Sequence, residues 1–492
     1  MHIDQTSEPL LSRLSLRPLN SSVNRRRVLT MSAGLGAAAL GARTGPSMMQ
    51  AGAAQQQPVA PLHTGHTWLL EASDALRPAA PGEATTAEID ELLDFQADLT
   101  DEMVEVINRW AGRQAVLPWL EVTAELSGDT FPSALMEVRA QSLLRTAMSD
   151  AVAAALDAQN AYGRPLPANA DDRITPVDGL FPATSSFPSL HASVAGAAST
   201  VLAYIFPEAS ADGFVELANE AAESRLWAGA NYRSDIEAGL ALGQAIGQLA
   251  VEYGQADGTS AQWDGEGWPE GDGLYQRTPP NFADPVAPHA GTWKTWVLPS
   301  GDALRPAPFP EYDSPQWRAE LATVQRLTEQ RTLAQERIID YWLSQGPHDF
   351  YTTYAKNLIE RERLGEAETA AVLSTVSVAT FDTFVAVWDA KYHYWIARPS
   401  TMDPEINLYI PDPPYPSYPG GFAAACASGA GVLADIFPAV ADDLFATAEE
   451  GAMLRAWCGI HYVLDNDVAL LIGGQVARAT IEFIRGGVAD EV

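Results

Sequence analysis

The sequence predicts an all-α protein built from two related helical bundles, and three observations carry that prediction. The chain repeats itself: Thr67–Pro78 matches Thr295–Pro306 without a gap, Val201–Pro207 matches Val432–Pro438, and Arg225–Tyr232 matches Arg455–Tyr462. The offset stays at about 230 residues, the size of a whole domain rather than of a short solenoid unit. Apolar residues recur at helical spacing over long stretches of both halves, and no sustained alternation marks a strand. At 492 residues the chain also exceeds what one ordinary core encloses.

Taken in order, residues 1–54 read as an export signal. Asn24-Arg25-Arg26-Arg27-Val28-Leu29-Thr30 has the form of a twin-arginine motif, Val28 to Ala42 is apolar and rich in small residues, and Ala51-Gly52-Ala53 offers a cleavage site. The protein is therefore expected in the periplasm or outside the cell, with no integral membrane span in the mature chain, because later apolar runs look too short or too charged. The first bundle, 60–253, is expected to hold helices over 88–110, 133–162, 189–205, 214–227 and 235–253. Residues 254–291 are rich in Gly, Pro, Asp and Trp and read as an irregular linker packed by Trp263, Trp268 and Tyr275. The second bundle, 292–492, is expected to hold helices over 315–344, 350–362, 366–397, 421–436, 440–458 and 465–485.

Composition narrows the function. A hydrophobic content of 47% is that of a folding chain, and a net charge of −33 argues against nucleic acid and against an anionic membrane surface. Any cationic pocket is then a local exception to the overall field. Two cysteines, Cys426 and Cys458, cannot form a disulfide framework for this size. Two buried thiols are the expectation, with one disulfide open to them if their helices meet.

The stretch Lys391-Tyr392-His393-Tyr394-Trp395-Ile396-Ala397-Arg398-Pro399 holds one of only three lysines in the chain. Lys391 and Arg398 lie two helical turns apart, so both can point one way before Pro399 ends the helix. Two converging cations suit a tetrahedral oxyanion; basic residues matched to a helix C-terminal dipole are the other reading. Further on, Tyr415-Pro416-Ser417-Tyr418-Pro419-Gly420-Gly421-Phe422 opens a helix whose first N–H groups can meet an anion. Arg455 adds a charge-assisted donor, His461 can act as nucleophile or ligand, and Asp465, one turn on, can fix its tautomer.

In this order, Lys-x6-Arg-Pro, a Pro-Gly-Gly-Phe segment and Arg-x5-His with a following Asp resemble the signature of the phosphatidic-acid phosphatase type 2 superfamily. That superfamily includes bacterial acid phosphatases, lipid phosphatases and vanadium-dependent haloperoxidases, and the double-bundle, exported layout is most similar to the haloperoxidase branch. The resemblance implies that Lys391, Arg398 and Arg455 bind the oxygens of an oxyanion, with Gly421 as a backbone donor. It implies that His461 attacks phosphorus or ligates vanadium, oriented by Asp465, and that vanadate is the cofactor or a phosphate ester the substrate.

Three positions depart from the family pattern: Gly420 replaces its serine, Phe422 its acid–base histidine, and Leu454 the serine before the second arginine. Loss of a general acid–base group costs roughly 10²–10⁴ in rate. The first half keeps Arg164-Pro165, Pro188-Ser189-Leu190-His191 and Ser224-Arg225. It aligns Asp157 with the lysine and Asn231 with the nucleophilic histidine, so Arg164, Ser189, His191 and Arg225 are expected to form a degenerate site that repels oxyanions. The function expected from the whole is oxyanion binding in the second half, with weakened haloperoxidase or phosphomonoesterase chemistry. The alternative is a catalytically inactive oxyanion-binding or scaffold protein of the same fold.

Overall fold

Sixteen α-helices, in two sets of eight, make up the described part of the chain. The first set is α1 (Thr86–Ala97), α2 (Asp101–Ala111), α3 (Leu117–Ser127), α4 (Ala134–Tyr162), α5 (Pro167–Ala170), α6 (Leu190–Ile205), α7 (Ala211–Trp227) and α8 (Arg233–Gln255). The second is α9 (Pro315–Glu329), α10 (Leu333–Leu343), α11 (Gly346–Glu362), α12 (Glu366–Tyr394), α13 (Pro399–Met402), α14 (Gly421–Ile436), α15 (Ala441–Trp457) and α16 (Val463–Ile484). This is a computed structural model, and it describes Val59 and residues 64–127, 131, 133–209 and 211–486. The export segment expected in 1–54 lies outside them. Among the described residues there is no strand, only an isolated antiparallel bridge between Leu274 and Ile396. Corresponding helices match in length: α4 and α12 have 29 residues each, α6 and α14 have 16, and α7 and α15 have 17.

The helix boundaries follow local chemistry that periodicity alone does not reveal. Residues 88–110 form two helices, because the Thr100 side chain accepts the Met103 N–H and starts α2. Residues 315–344 break likewise at Thr332, which forms a capping box with Gln335. Helix α3 escaped the sequence reading because Pro118, Trp119, Leu120, Val122, Thr123, Leu126 and Ser127 are all buried, leaving only Glu121 and Glu125 as charged residues to mark its exposed face.

In each half a short apolar helix is held among three others: α6 among α4, α7 and α8, and α14 among α12, α15 and α16. Glycine permits this close packing. A Cβ on Gly243 would lie 1.9 Å from the Ser193 carbonyl oxygen, and one on Gly473 2.2 Å from that of Ala424. The long helices α4 and α12 pack on each other, and one apolar core runs through both halves, from Leu144 and Met148 to Val372 and Val376. Cys426 and Cys458 are buried in that core as free thiols.

Helix α12 is long and apolar enough to cross a bilayer, contrary to the expectation that no later run would be, and 94% of that stretch is buried inside the protein. Its apolar surface is thus covered by its own fold.

Two reciprocal joints fasten the halves. The Asp150 carboxylate on α4 accepts the backbone N–H groups of Trp68, Leu69 and Leu70 at 2.8, 2.8 and 3.0 Å. Asp382 on α12 accepts those of Trp296, Val297 and Leu298 at 2.9, 2.8 and 3.0 Å. Each Trp then reaches across: the Trp68 indole donates to Ser374 Oγ on α12, and the Trp296 indole to Ser142 Oγ on α4. Burial pushes both carboxyl groups up to about 6.

A second polar cluster lies where α11 meets α4. Arg145 donates to Thr352 and Ser377, and His348 is buried beside it with neither ring nitrogen partnered within the protein. Burial first, and then Arg145, hold His348 well below the ordinary histidine value. The unfolded chain takes up a proton near pH 6.5 that the folded chain does not, so His348 lowers stability as pH falls through that range. His348→Phe is expected to melt higher than the parent at pH 5, with the gap closing above pH 7. Thermal melts of both proteins across pH 5–8 check this.

Candidate oxyanion site

The site forms where α12 ends, α14 begins, and α15 passes into α16. Helix α12 stops at Tyr394, since Trp395 takes a left-handed C-cap conformation with φ of 52°. Lys391 and Arg398 therefore do not share a helix, and Pro399 starts the short α13 rather than ending α12. The cations converge because the intervening loop is pinned. Tyr275 N–H donates to Trp395 O at 2.6 Å, Ala397 N–H to Gly273 O at 3.0 Å, and Ser417 N–H to Ile396 O at 2.9 Å. The linker expected over 254–291 supplies two of these bonds, and its Trp268 and Tyr275 rings pack on Trp395.

Three cations meet here. Lys391 is fully buried and donates to the carbonyls of Pro416 and Ser417, both at 2.8 Å. Arg398, also fully buried, donates to the carbonyls of Tyr415 at 3.0 Å and Ile460 at 2.7 Å, and through Nη1 to His461 Nε2 at 3.1 Å. Its Nη2 has no partner within the protein. Arg455 is 6% exposed, and its Nε is unpartnered; its guanidinium lies 4.8 Å from the centre of the Phe422 ring. Among the described residues none of the three forms an ion pair. The Tyr415 ring forms a shared wall, 5.1 Å from Lys391 Nζ and 5.0 Å from Arg398.

His461 lies among them, 1% exposed. Its Nδ1 faces Asp465 Oδ2 at 2.8 Å, and that same oxygen accepts the Ser417 hydroxyl at 2.5 Å and the Tyr462 N–H at 3.2 Å. With Arg398 donating to Nε2, the imidazole carries its proton on Nδ1 and presents the Nε2 lone pair to the cations. Burial, followed by Arg398, Lys391 and Arg455, holds His461 well below the usual value, so the ring is neutral. Burial also lowers Lys391, with Arg398 adding to it and Asp465 opposing. Asp465 is pushed up to about 7 by burial, against its bond from Ser417 and the field of Lys391 and Arg398.

Gly421 opens α14, whose first N–H groups have no acceptor within the helix. Gly420 has a steric reason: a Cβ there would sit 2.6 Å from Asn466 Oδ1, too close for the family serine without moving Asn466. Leu454 is fully buried in the apolar core. Sequence reasoning passed over Ser417, the residue that ties the site together. Its carbonyl takes Lys391, its hydroxyl holds Asp465, and its N–H fixes the Arg398 loop. Its counterpart in the repeat, Ser186 before Phe187-Pro188 as Ser417 stands before Tyr418-Pro419, could have flagged it.

The first-half residues also gather, with one correction. Asp157 does not occupy the lysine position. It pairs with Arg77 at the surface, as Asp389 pairs with Arg305 in the second half. The residue fourth from the end of α4, as Lys391 is fourth from the end of α12, is Gln159, which donates to Pro188 O at 2.9 Å. The shift arises because the loop from α4 to Arg164 is two residues shorter than that from α12 to Arg398. Arg164 binds Asp235, Ser189 caps α6 through its side chain, His191 Nε2 lies 3.2 Å from the Arg113 carbonyl oxygen, and Arg225 Nε donates to Asn231 at 3.1 Å.

The all-helical frame carries three buried basic side chains around a histidine, and comparison with known proteins finds one match to part of the sequence and others to the fold. Residues 141–258 match the family model of the PAP2 superfamily. The fold is that of vanadium-dependent haloperoxidases. A bacterial vanadium-dependent iodoperoxidase superposes with a TM-score of 0.54 at 19% identity, over 82% of this chain and 98% of the other. A bacterial vanadium-dependent chloroperoxidase does so in its holo form with a TM-score of 0.53 at 15% identity, covering 81% and 98%, and in its apo form with 0.52 at 13%, covering 73% and 94%. No curated protein sequence matches. The family match falls on the first half, where Pro188-Ser189-Leu190-His191 and Ser224-Arg225 survive, and not on the half that holds the lysine and His461.

The second-half residues fit an oxyanion. Arg455 offers all its donors, Arg398 a free Nη2, and Lys391 one proton beyond its two carbonyl bonds. Among the described residues no group of three or more His, Cys, Asp or Glu could hold a bare metal ion. Vanadium held here would rest on one imidazole and on hydrogen bonds to its oxygens.

Proposed function

We propose that this protein binds vanadate or phosphate in its second half and carries weakened haloperoxidase or phosphomonoesterase chemistry there. One observation carries the reading: Lys391, Arg398 and Arg455 are buried around His461 with no ion pair among the described residues. Buried charges without counter-ions are costly, and an anion that accepts from all three relieves that cost. Lys391, Arg398, Arg455 and the Gly421 N–H would hold the anion's oxygens. Arg398 would turn its Nη1 from His461 to the anion, releasing the Nε2 lone pair toward the central atom. Asp465 and Ser417 keep the proton on Nδ1. Vanadate, when bound, supplies the Lewis-acid centre for halide oxidation by peroxide. With a phosphate ester instead, Nε2 would attack phosphorus as the P–O bond to the alcohol breaks, the departing oxygen would take its proton from water, and a second water would then release phosphate from the imidazole. In both cases Phe422 has no proton to give, which is why the chemistry is weakened.

The same substitution supports the alternative, a catalytically inactive oxyanion-binding or scaffold protein. The twin-arginine-like segment further supports export, which fusion of residues 1–54 to a reporter would test by its appearance outside the cytoplasm. The binding reading is tested by orthovanadate calorimetry. Arg398→Ala is expected to weaken second-half binding roughly 10- to 100-fold, the loss of charge-assisted hydrogen bonds. Unchanged binding in a folded Arg398→Ala protein overturns the assignment.

A further inference from the structure

We propose that the first half carries a second pocket for a tetrahedral oxyanion, centred on Arg225, that binds phosphate or vanadate without acting on it. The aligned Asp157 argued against any anion here, and the structure removes that objection, because Asp157 is engaged with Arg77 outside the pocket. Gln159, an uncharged donor, stands in the lysine's place.

Arg225 is 4% exposed and forms no ion pair among the described residues. Its Nε donates to Asn231 Oδ1, and its Nη1 has no partner within the protein. One hydroxyl in the segment leading into α6, that of Ser185, is likewise buried and unpartnered, while that of Ser186 is turned to Asp235. These groups share one space. Asn231 Nδ2 donates to the Ser186 carbonyl at 2.7 Å, and Asn231 Oδ1 lies 3.4 Å from the hydroxyl of Ser189, the cap of α6. The N–H groups of the first turn of this 16-residue helix add the positive end of its dipole. A guanidinium nitrogen, a hydroxyl and a helix start are donors of the kind that tetrahedral oxyanions accept from.

The remaining charges nearby are accounted for. Arg164 is neutralised by Asp235 and lies 3.6 Å from Glu88. His191 is held neutral by burial and by Arg225. The acid that Arg225 senses is Glu366 at the start of α12, whose Oε2 accepts the Ala115 N–H at 2.9 Å. Burial pushes that carboxyl up to about 8, which favours its uncharged form at neutral pH and weakens it as a counter-ion to Arg225. A cavity of about 390 Å³ is lined by Arg164, Tyr162 and Tyr232, and the Arg164 carbonyl accepts the Ser186 N–H at 3.0 Å. Catalysis does not follow from binding here, since Asn231 stands where His461 stands in the second half and has no lone pair basic enough to attack.

The test is the stoichiometry of orthovanadate and inorganic phosphate binding to the full chain, by calorimetry at neutral pH. Two sites are expected for each anion. Arg225→Gln is expected to leave one site, weakening the other roughly 10- to 100-fold. Asn231→Asp, which supplies Arg225 with an internal counter-ion while giving up the bond to the Ser186 carbonyl, is expected to do the same, with its fold checked by a thermal melt, a second variant should Arg225→Gln fold poorly. Arg455→Gln is expected to remove the other site alone. A single site that survives both first-half substitutions and vanishes in Arg455→Gln overturns this proposal and leaves the second-half reading standing. A single site lost in Arg225→Gln and kept in Arg455→Gln does the reverse. No binding at all sinks both.

Discussion

Replacing Phe422 with histidine is expected to raise turnover by roughly 10²–10⁴, the usual worth of a general acid–base group. The parent holds every other part of the proposed chemistry. His461 presents Nε2 to the cations, Asp465 and Ser417 fix its tautomer, and three basic side chains surround the space. Phe422 lies at the start of α14 with its ring stacked on Arg455 and its edge against Trp342. An imidazole keeps the planar face that Arg455 rests on and adds a titratable nitrogen. The neighbouring guanidinium disfavours the imidazolium, so the gain in proton donation should be largest at mildly acidic pH. Steady-state assays with peroxide and halide on the vanadate-loaded protein, and with a phosphate monoester on the vanadate-free protein, measure the effect. A folded Phe422→His protein that binds vanadate and still turns nothing over would leave the scaffold reading in place.

The second large effect concerns stability. Asp382→Ala is expected to destabilise the protein by about 3–6 kcal/mol, because three N–H groups, one buried and two part-buried, lose their acceptor at once and an unsatisfied group costs about 1–3 kcal/mol, least where water reaches it. The segment those N–H groups belong to also carries Trp296, whose indole reaches Ser142 in the other half, so the joint between the halves loosens with it. Against a typical total of about 5–15 kcal/mol, this brings unfolding close to ambient temperature. Asp150→Ala should behave alike, through Trp68 and Ser374. Asp382→Asn, with its amide oxygen in the place of Oδ2, keeps the bonds from Val297 and Leu298 but sets an NH2 against the Trp296 N–H, so it should cost less than Asp382→Ala without matching the parent. Denaturant titrations of the three variants and the parent decide the point, and an Asp382→Ala protein as stable as the parent would show that water replaces the carboxylate.

Much of the architecture was legible in the sequence because it depends on local spacing. Amphipathic period and repeated segments located the long helices, and α14 falls at 421–436 as the spacing predicted. What spacing missed has physical causes. The breaks at Thr100 and Thr332 are made by single side chains capping a backbone N–H, and α3 has only Glu121 and Glu125 as charged residues to mark its exposed face. The motifs named Lys391, Arg398, Arg455, His461 and Asp465, and the fold brings all five together. By itself, then, the sequence determined an all-helical duplicated chain and the identity of its candidate anion binders, because residue type and order set both. Only the tertiary structure decided how the cations converge, since Arg398 reaches His461 from a loop pinned by the linker rather than from the helix that carries Lys391. It alone revealed Ser417 as the tie between Lys391 and Asp465. It alone moved Asp157 out of the first-half pocket, because a loop shorter by two residues shifts which side chain faces inward, and linear alignment cannot see which way a helix face turns.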